Sequence, residues 1–197
     1  MKCRICGKEA EFKIKSYNLA ICRDCFLQRL YKRVEETIKK YRLFDKGEEI
    51  FILMGGKNSN TLATLLSEMG YRVELVSSEE EVPEGKVIAK GNILEEEVAN
   101  ALWEILNWTL GEDVLPSYCE MGKKFVKPLC LLIEEEISIY RNIKRIEECC
   151  EARDDIRNDI REKVKDLGIF SLGFWISFYK SLIKDWDNFR NSSARQF

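Results

Sequence analysis

The sequence predicts an α/β fold with a parallel sheet, preceded by a small cysteine ribbon and followed by a helical tail. Three observations predict it. An apolar run at Ile50–Met54 stops at a Gly-Gly pair and passes directly into a helical pattern; a second short strand, Val73–Val76, follows that helix; and two CxxC pairs stand near the start of the chain.

Residues 1–26 carry the strongest signal. Cys3/Cys6 and Cys22/Cys25 are separated by fifteen residues, the spacing of a two-knuckle ribbon in which each pair wraps a backbone turn around one side of a tetrahedral ion. With no histidine in the chain, any zinc site must be built from thiolates, with carboxylates as the rarer option. One structural Zn²⁺ per chain, held by all four sulfurs, is therefore expected. A filled coordination shell leaves no position for substrate, and so short a segment draws much of its folding free energy from the metal.

A helix is expected over Phe26–Leu43, within a basic linker at 27–46. Leu27, Leu30, Tyr31, Val34, Ile38 and Tyr41 form its apolar side, and Arg29, Lys32, Arg33, Lys39, Lys40 and Arg42 populate the rest. Charge is divided along the chain. Up to Lys46 there are thirteen Lys/Arg against six Asp/Glu; the remainder carries nineteen against twenty-eight, so a net charge of −2 conceals a basic start on an acidic body. Such a segment suits a polyanion, and phosphate contact through these six cations is set beside the plainer reading of a solvated helix face.

The α/β body is assigned to 47–165. Between Met54 and the helix lie Gly55, Gly56, Lys57, Asn58 and Ser59. Glycines let backbone amides approach an oxyanion, a helix N-terminus favours negative charge, and lysine and serine add a cation and a hydroxyl. The spacing is neither that of a Walker A loop nor of a dinucleotide fingerprint. Gly55, Gly56, Lys57 and Ser59 are the candidate phosphate-binding residues.

Farther on, Val87–Ala89 reads as a third strand and Leu94–Leu110 as a helix with Glu95, Glu96 and Glu97 in its first turn. Gly111–Pro128 reads as loop, Leu131–Glu148 as a second helix, and Arg153–Asp166 as a third. A sheet of three or four strands results. Leu167–Tyr179 is almost wholly apolar but too short to span a bilayer, so the 166–197 tail is either core or an oligomer interface.

The segment Met54-Gly55-Gly56-Lys57-Asn58-Ser59 resembles the Ser-Gly-Gly-Lys-Asp-Ser loop of the PP-loop ATPases that 2-thiolate tRNA uridine. The resemblance extends, in the family's order, through the ribbon, Ala89-Lys90-Gly91-Asn92-Ile93-Leu94-Glu95-Glu96-Glu97, Val126-Lys127-Pro128-Leu129 and Glu147-Glu148-Cys149. It implies a reduced PP-loop, three-layer parallel sheet, an N-terminal zinc ribbon and a helical tail. It also implies tRNA as substrate or ligand and a catalytic thiolation subunit or second copy as partner through the tail; with no signal peptide and no apolar run of membrane-spanning length, a cytoplasmic protein with no membrane contact is expected.

Residues departing from the family pattern shape the expected activity. Asn58 replaces the acidic residue of the loop, Met54 its leading serine, Asn92 its histidine, and Cys150 the proline after Cys149; the family's middle CxxC pair has no counterpart. A non-catalytic relative that supports tRNA thiolation is the leading expectation, with ATP and Mg²⁺ left open and an iron–sulfur cluster not expected. Two alternatives stand: an active ATP-dependent sulfurtransferase using Lys57 and Cys149 or Cys150, and a zinc-dependent protein-interaction or RNA-binding module.

Overall fold

A computed structural model describes residues 1–148 and 172–193. The chain divides into two compact units, one formed by residues 1–93 and 116–152, the other by residues 94–115 and 153–197.

The first unit begins with the ribbon. Strands β1 (Phe12–Ile14) and β2 (Leu19–Ile21) pair antiparallel around a one-turn 3-10 helix that ends at Asn18 in the left-handed region. Helix α1 (Arg23–Tyr41) starts immediately after Cys22 and buries Phe26, Leu30, Val34 and Ile38, the i, i+4 stripe that its periodicity predicts. It stops where Arg42 turns left-handed and its amide returns to the carbonyls of Ile38 and Lys39.

The sheet behind it has five strands rather than three or four. Strands β3 (Glu49–Leu53), β4 (Arg72–Val76), β5 (Val87–Ala89), β6 (Ser117–Glu120) and β7 (Lys123–Val126) lie in the order β4-β3-β5-β7-β6. All neighbours are parallel except β6 against β7. The two additional strands come from the stretch expected to be loop. Met121 and Gly122 both have positive φ, so they form a tight hairpin turn whose hand matches strand twist, and the flanking residues pair Ser117 with Val126 through Glu120 with Lys123. Met-Gly lacks the usual Asn-Gly or Asp-Gly signature of that turn.

Register places Phe51, Ile88, Phe125 and Tyr118 in one row across four strands, packed with Val76 and Val82. Helix α2 (Ser59–Glu68) packs against β3 and β4 and buries Leu62, Leu65 and Leu66 completely. Each such side chain contributes about 1.5–3 kcal/mol by leaving water. Helix α4 (Glu134–Lys144) begins three residues later than expected and ends at left-handed Arg145. Its first turn holds three glutamates, and the Glu136 carboxylate accepts the Ile133 amide, which fixes the start.

In the second unit, α3 (Leu94–Asn107) ends three residues short of the expected boundary and packs with α5 (Leu172–Ser193). Tyr179 is fully buried; its hydroxyl donates to the Val114 carbonyl at 2.9 Å and contacts the Glu97 carboxylate at 3.2 Å. The tail is therefore sided, with Tyr179 and Ile183 inward and Phe174 exposed. The helix expected at Arg153–Asp166 lies outside the described residues. No helix among those described is long and apolar enough to cross a membrane.

Candidate functional site

The ribbon brings its four thiols together. Cys3 and Cys6 sit on a knuckle closed by the Cys3 amide to the Lys8 carbonyl and by the Gly7 amide to the Cys3 carbonyl, with Gly7 at φ +75°. Cys22 follows β2, and Cys25 lies in the first turn of α1. All four sulfurs lie within 4.8 Å of one another, and Cys6 and Cys22 are 3.6 Å apart. A metal with metal–sulfur bonds of about 2.3 Å in a tetrahedron needs sulfur–sulfur edges of about 3.8 Å, so the set fits a single ion. Backbone amides, that of Cys6 foremost, lower Cys3 to about 6, whereas the hydrogen-bonded Cys6 sulfur and burial push Cys25 up to about 12. Thiols this close oppose one another's ionisation, and a cation is what relieves that opposition.

The ribbon is tied to the body by α4. Glu135 accepts the amides of Lys15 and Ser16 and the Ser16 hydroxyl. Arg33 of α1 donates to the buried Glu136 carboxylate and the Leu131 carbonyl while lying over the Tyr17 ring, and Arg29 lies over the same ring at 5.3 Å. Two of the six cations expected to meet phosphate thus face protein. Of the others, Lys32 and Lys39 pair with Glu36 and Glu35, Lys40 lies over Tyr41, and Arg42 is exposed at the helix end. Lys39 and Arg42, with Lys46, Lys124, Phe44 and Tyr71, line a cavity of about 610 Å³ that acidic side chains share.

The glycine loop lies at the carboxyl end of β3, whose neighbours β4 and β5 lie on opposite sides. Chain direction diverges there, the place where open α/β sheets bind ligands. Gly55, Gly56 and Lys57 are exposed, while Asn58 and Ser59 are buried. Asn58 adopts φ +54°, which an amide side chain tolerates better than most. Its Nδ2 donates to the Gly91 carbonyl at 2.7 Å, and its Oδ1 accepts from Arg141 of α4. Gly91 is pressed against the loop so closely that a Cβ would come within 2.2 Å of the Lys57 carbonyl oxygen. Beside it, Lys90 reaches the Tyr118 hydroxyl at 2.8 Å and lies over the stacked Tyr118 and Phe125 rings, while Lys127 lies over the Tyr118 ring.

Sequence reasoning missed two residues here. Arg141 bridges Asn58, the Thr61 hydroxyl and Glu134; Glu148 accepts the amides of Asn60 and Thr61 and the Thr61 hydroxyl. Arg141 adjoins core Tyr140 on α4 and carried no signal of an inward role, while Glu148 was legible only as part of Glu147-Glu148-Cys149. Cys119 is exposed on β6 and Cys130 is buried; Cys149 and Cys150 lie outside the described residues.

Residues 2–27 match the family model described as 2-thiouridine synthetase TtuA, N-terminal LIM domain. The chain is 40% identical over 75 residues to a tRNA-5-methyluridine(54) 2-sulfurtransferase of Thermotoga maritima, a match covering 38% of this chain and 25% of that protein. A Cytoplasmic tRNA 2-thiolation protein 1 of Drosophila grimshawi is 34% identical over 68 residues, 34% of this chain and 20% of the relative. The matched part therefore spans about a quarter or less of these relatives' length. Among solved structures, the U34-tRNA thiolase NcsA from Methanococcus maripaludis, determined with its [4Fe-4S] cluster, superposes with a TM-score of 0.68 at 16% identity, covering 93% of this chain and 87% of that one. That likeness speaks for the fold. The ribbon's family match, the partial sequence identities and the shared fold make this chain similar to the PP-loop proteins of tRNA 2-thiolation.

Proposed function

We propose that this protein serves tRNA 2-thiolation as a non-catalytic member of its family, holding one structural zinc ion in its ribbon. Cys3, Cys6, Cys22 and Cys25 would be the ligands. The metal would fix the knuckle geometry that presents α1 and the Lys15–Ser16 turn to Glu135. Zinc is favoured over a larger cluster because sulfurs within 4.8 Å suit one ion. The outward cations Lys32, Lys39, Lys40 and Arg42 would contact tRNA phosphates. Ile105, Leu106, Trp108 and Phe174, exposed within the helical unit, would offer apolar surface to a catalytic partner.

One observation carries the non-catalytic reading: the state of Asn58. It stands where the family loop is acidic, and both ends of its amide are engaged, one by Gly91 and one by Arg141. A neutral side chain fixed in this way supplies no negative charge for a metal–nucleotide complex. Losing one charge-stabilising group costs about 3 kcal/mol in a transition state, or roughly 10²-fold in rate.

The test combines composition and activity. Anaerobically purified protein is expected to contain one zinc per chain, to show no brown chromophore, and to form no thiouridine with tRNA, ATP, Mg²⁺ and a sulfide donor. Iron near three or four atoms per chain, or turnover abolished by Lys57→Ala, would establish the alternative of an active ATP-dependent sulfurtransferase. The intact Gly55–Gly56–Lys57 turn at the divergence point favours that second reading.

A further inference from the structure

We propose that Glu148 is a built-in occupant of the phosphate end of the glycine loop, and that a nucleotide's phosphate chain binds there only by displacing it. The inference rests on the loop being a phosphate binder and concerns what governs access to it. The Glu148 carboxylate accepts the Thr61 amide at 2.9 Å, the Asn60 amide at 3.2 Å and the Thr61 hydroxyl at 2.5 Å. These amides belong to the first turn of α2, where backbone donors lack helical acceptors and the dipole favours an anion.

Arg141 completes the arrangement. Its guanidinium lies 3.9 Å from Glu148 Oε1, the oxygen that Thr61 engages, 3.2 Å from the Thr61 hydroxyl and 3.5 Å from Glu134, and it also donates to Asn58. Two amides, a hydroxyl and a guanidinium converging on one carboxylate would serve equally well as a seat for a phosphoryl group. Glu148 fills it from 87 residues away in sequence, while Asn60 Nδ2 holds the adjacent Glu147 carbonyl at 2.8 Å.

The occupant is largely shielded, with the Glu148 side chain only 15% exposed, whereas Gly55, Gly56 and Lys57 are open. An incoming di- or triphosphate would meet the exposed glycines and Lys57 first. It would then compete with Glu148 for the α2 amides, with Arg141 passing from one anion to the other. Charge repulsion and competition for one set of donors both oppose simultaneous occupancy.

Calorimetric titration of the full chain with inorganic pyrophosphate and with ATP tests this on wild type, Glu148→Gln and Glu148→Ala. Glu148→Ala is expected to bind pyrophosphate at least tenfold more tightly than wild type, with Glu148→Gln between them because it keeps an acceptor but no charge. Without ligand, the Asn60 and Thr61 amides should exchange hydrogen faster in Glu148→Ala, and pyrophosphate should restore their protection. Should Glu148→Ala fail to fold by circular dichroism, a threefold gain in Glu148→Gln carries the test. Equal affinity in all three proteins would overturn the inference while leaving the loop as a phosphate binder; no binding by any of them would overturn both.

Discussion

Replacing Gly91 by alanine probes the junction on which the glycine loop rests. The added Cβ would stand 2.2 Å from the Lys57 carbonyl oxygen, 2.9 Å from the Asn58 Cβ and 3.0 Å from the Asn58 carbonyl carbon. Ordinary contact lies near 3.4 Å, so the loop must retreat by about 1 Å, a shift that close packing resists. Two of the three opposing atoms are backbone, and no rotamer change can relieve the clash. A retreat of that size also breaks the 2.7 Å bond from Asn58 to the Gly91 carbonyl. Overpacking costs about 1–3 kcal/mol, and a buried polar group left unpaired adds about 1–3 kcal/mol, so destabilisation of about 2–6 kcal/mol is expected. Urea unfolding followed by far-ultraviolet circular dichroism measures it, with Gly47→Ala as control because nothing lies within 4 Å of a Cβ there. Amide exchange across residues 57–62 should quicken only in Gly91→Ala. Equal midpoints for the two variants, with unchanged exchange at the loop, would refute the close approach of Gly91 and Lys57.

Three further outcomes follow from other contacts. Cys22→Ser should lose the bound metal and the structure of the ribbon together, read by metal analysis and by the amide exchange of residues 3–21; metal retained at full stoichiometry would contradict four-thiol ligation. Arg33→Met should cost about 3–5 kcal/mol, because it leaves the buried Glu136 carboxylate without its counter-charge, and a change under 0.5 kcal/mol in urea would count against that role.

The acid limb should depend on Glu68 and Glu135. Burial alone would raise both carboxyls, but Lys144, Tyr31 and Tyr140 around Glu68, and the amides of Lys15 and Ser16 with the Ser16 hydroxyl around Glu135, hold them below the ordinary 4.5. Because the folded values are depressed, the stabilisation is complete above about pH 4.5 and is lost as pH falls through the folded values. Thermal midpoints should therefore be level near neutrality and drop below that pH. The drop should be shallower in Glu68→Gln combined with Glu135→Gln, and an identical acid limb in that variant would count against the assignment.

The amino-acid sequence determined the features that depend on neighbours along the chain. Cys3, Cys6, Cys22 and Cys25 announce a four-thiol site because a knuckle needs only a few residues, and the ligand chemistry is written into the residue types. The Ile50–Met54 run and the glycine pair likewise specify strand, turn and helix start locally, so β3 appears within a residue of its expected bounds and α2 begins directly after the turn. Period alone could not say which polar side chains face protein. Arg29 and Arg33 have the spacing of a solvated basic face, yet the Tyr17 ring and Glu136 cover them, and both partners come from elsewhere in the fold. The β6–β7 hairpin escaped notice because its strands are four residues each and Met121-Gly122 carries little turn signal.

Tertiary structure alone decided the polar arrangement at the loop. Gly91 beneath Lys57, Arg141 on Asn58 and Glu148 on the α2 amides join residues 33 to 87 positions apart. Such contacts leave no periodic trace, because they are fixed by where the carboxyl ends of β3 and β5 and the end of α4 meet, which the packing of the whole first unit sets.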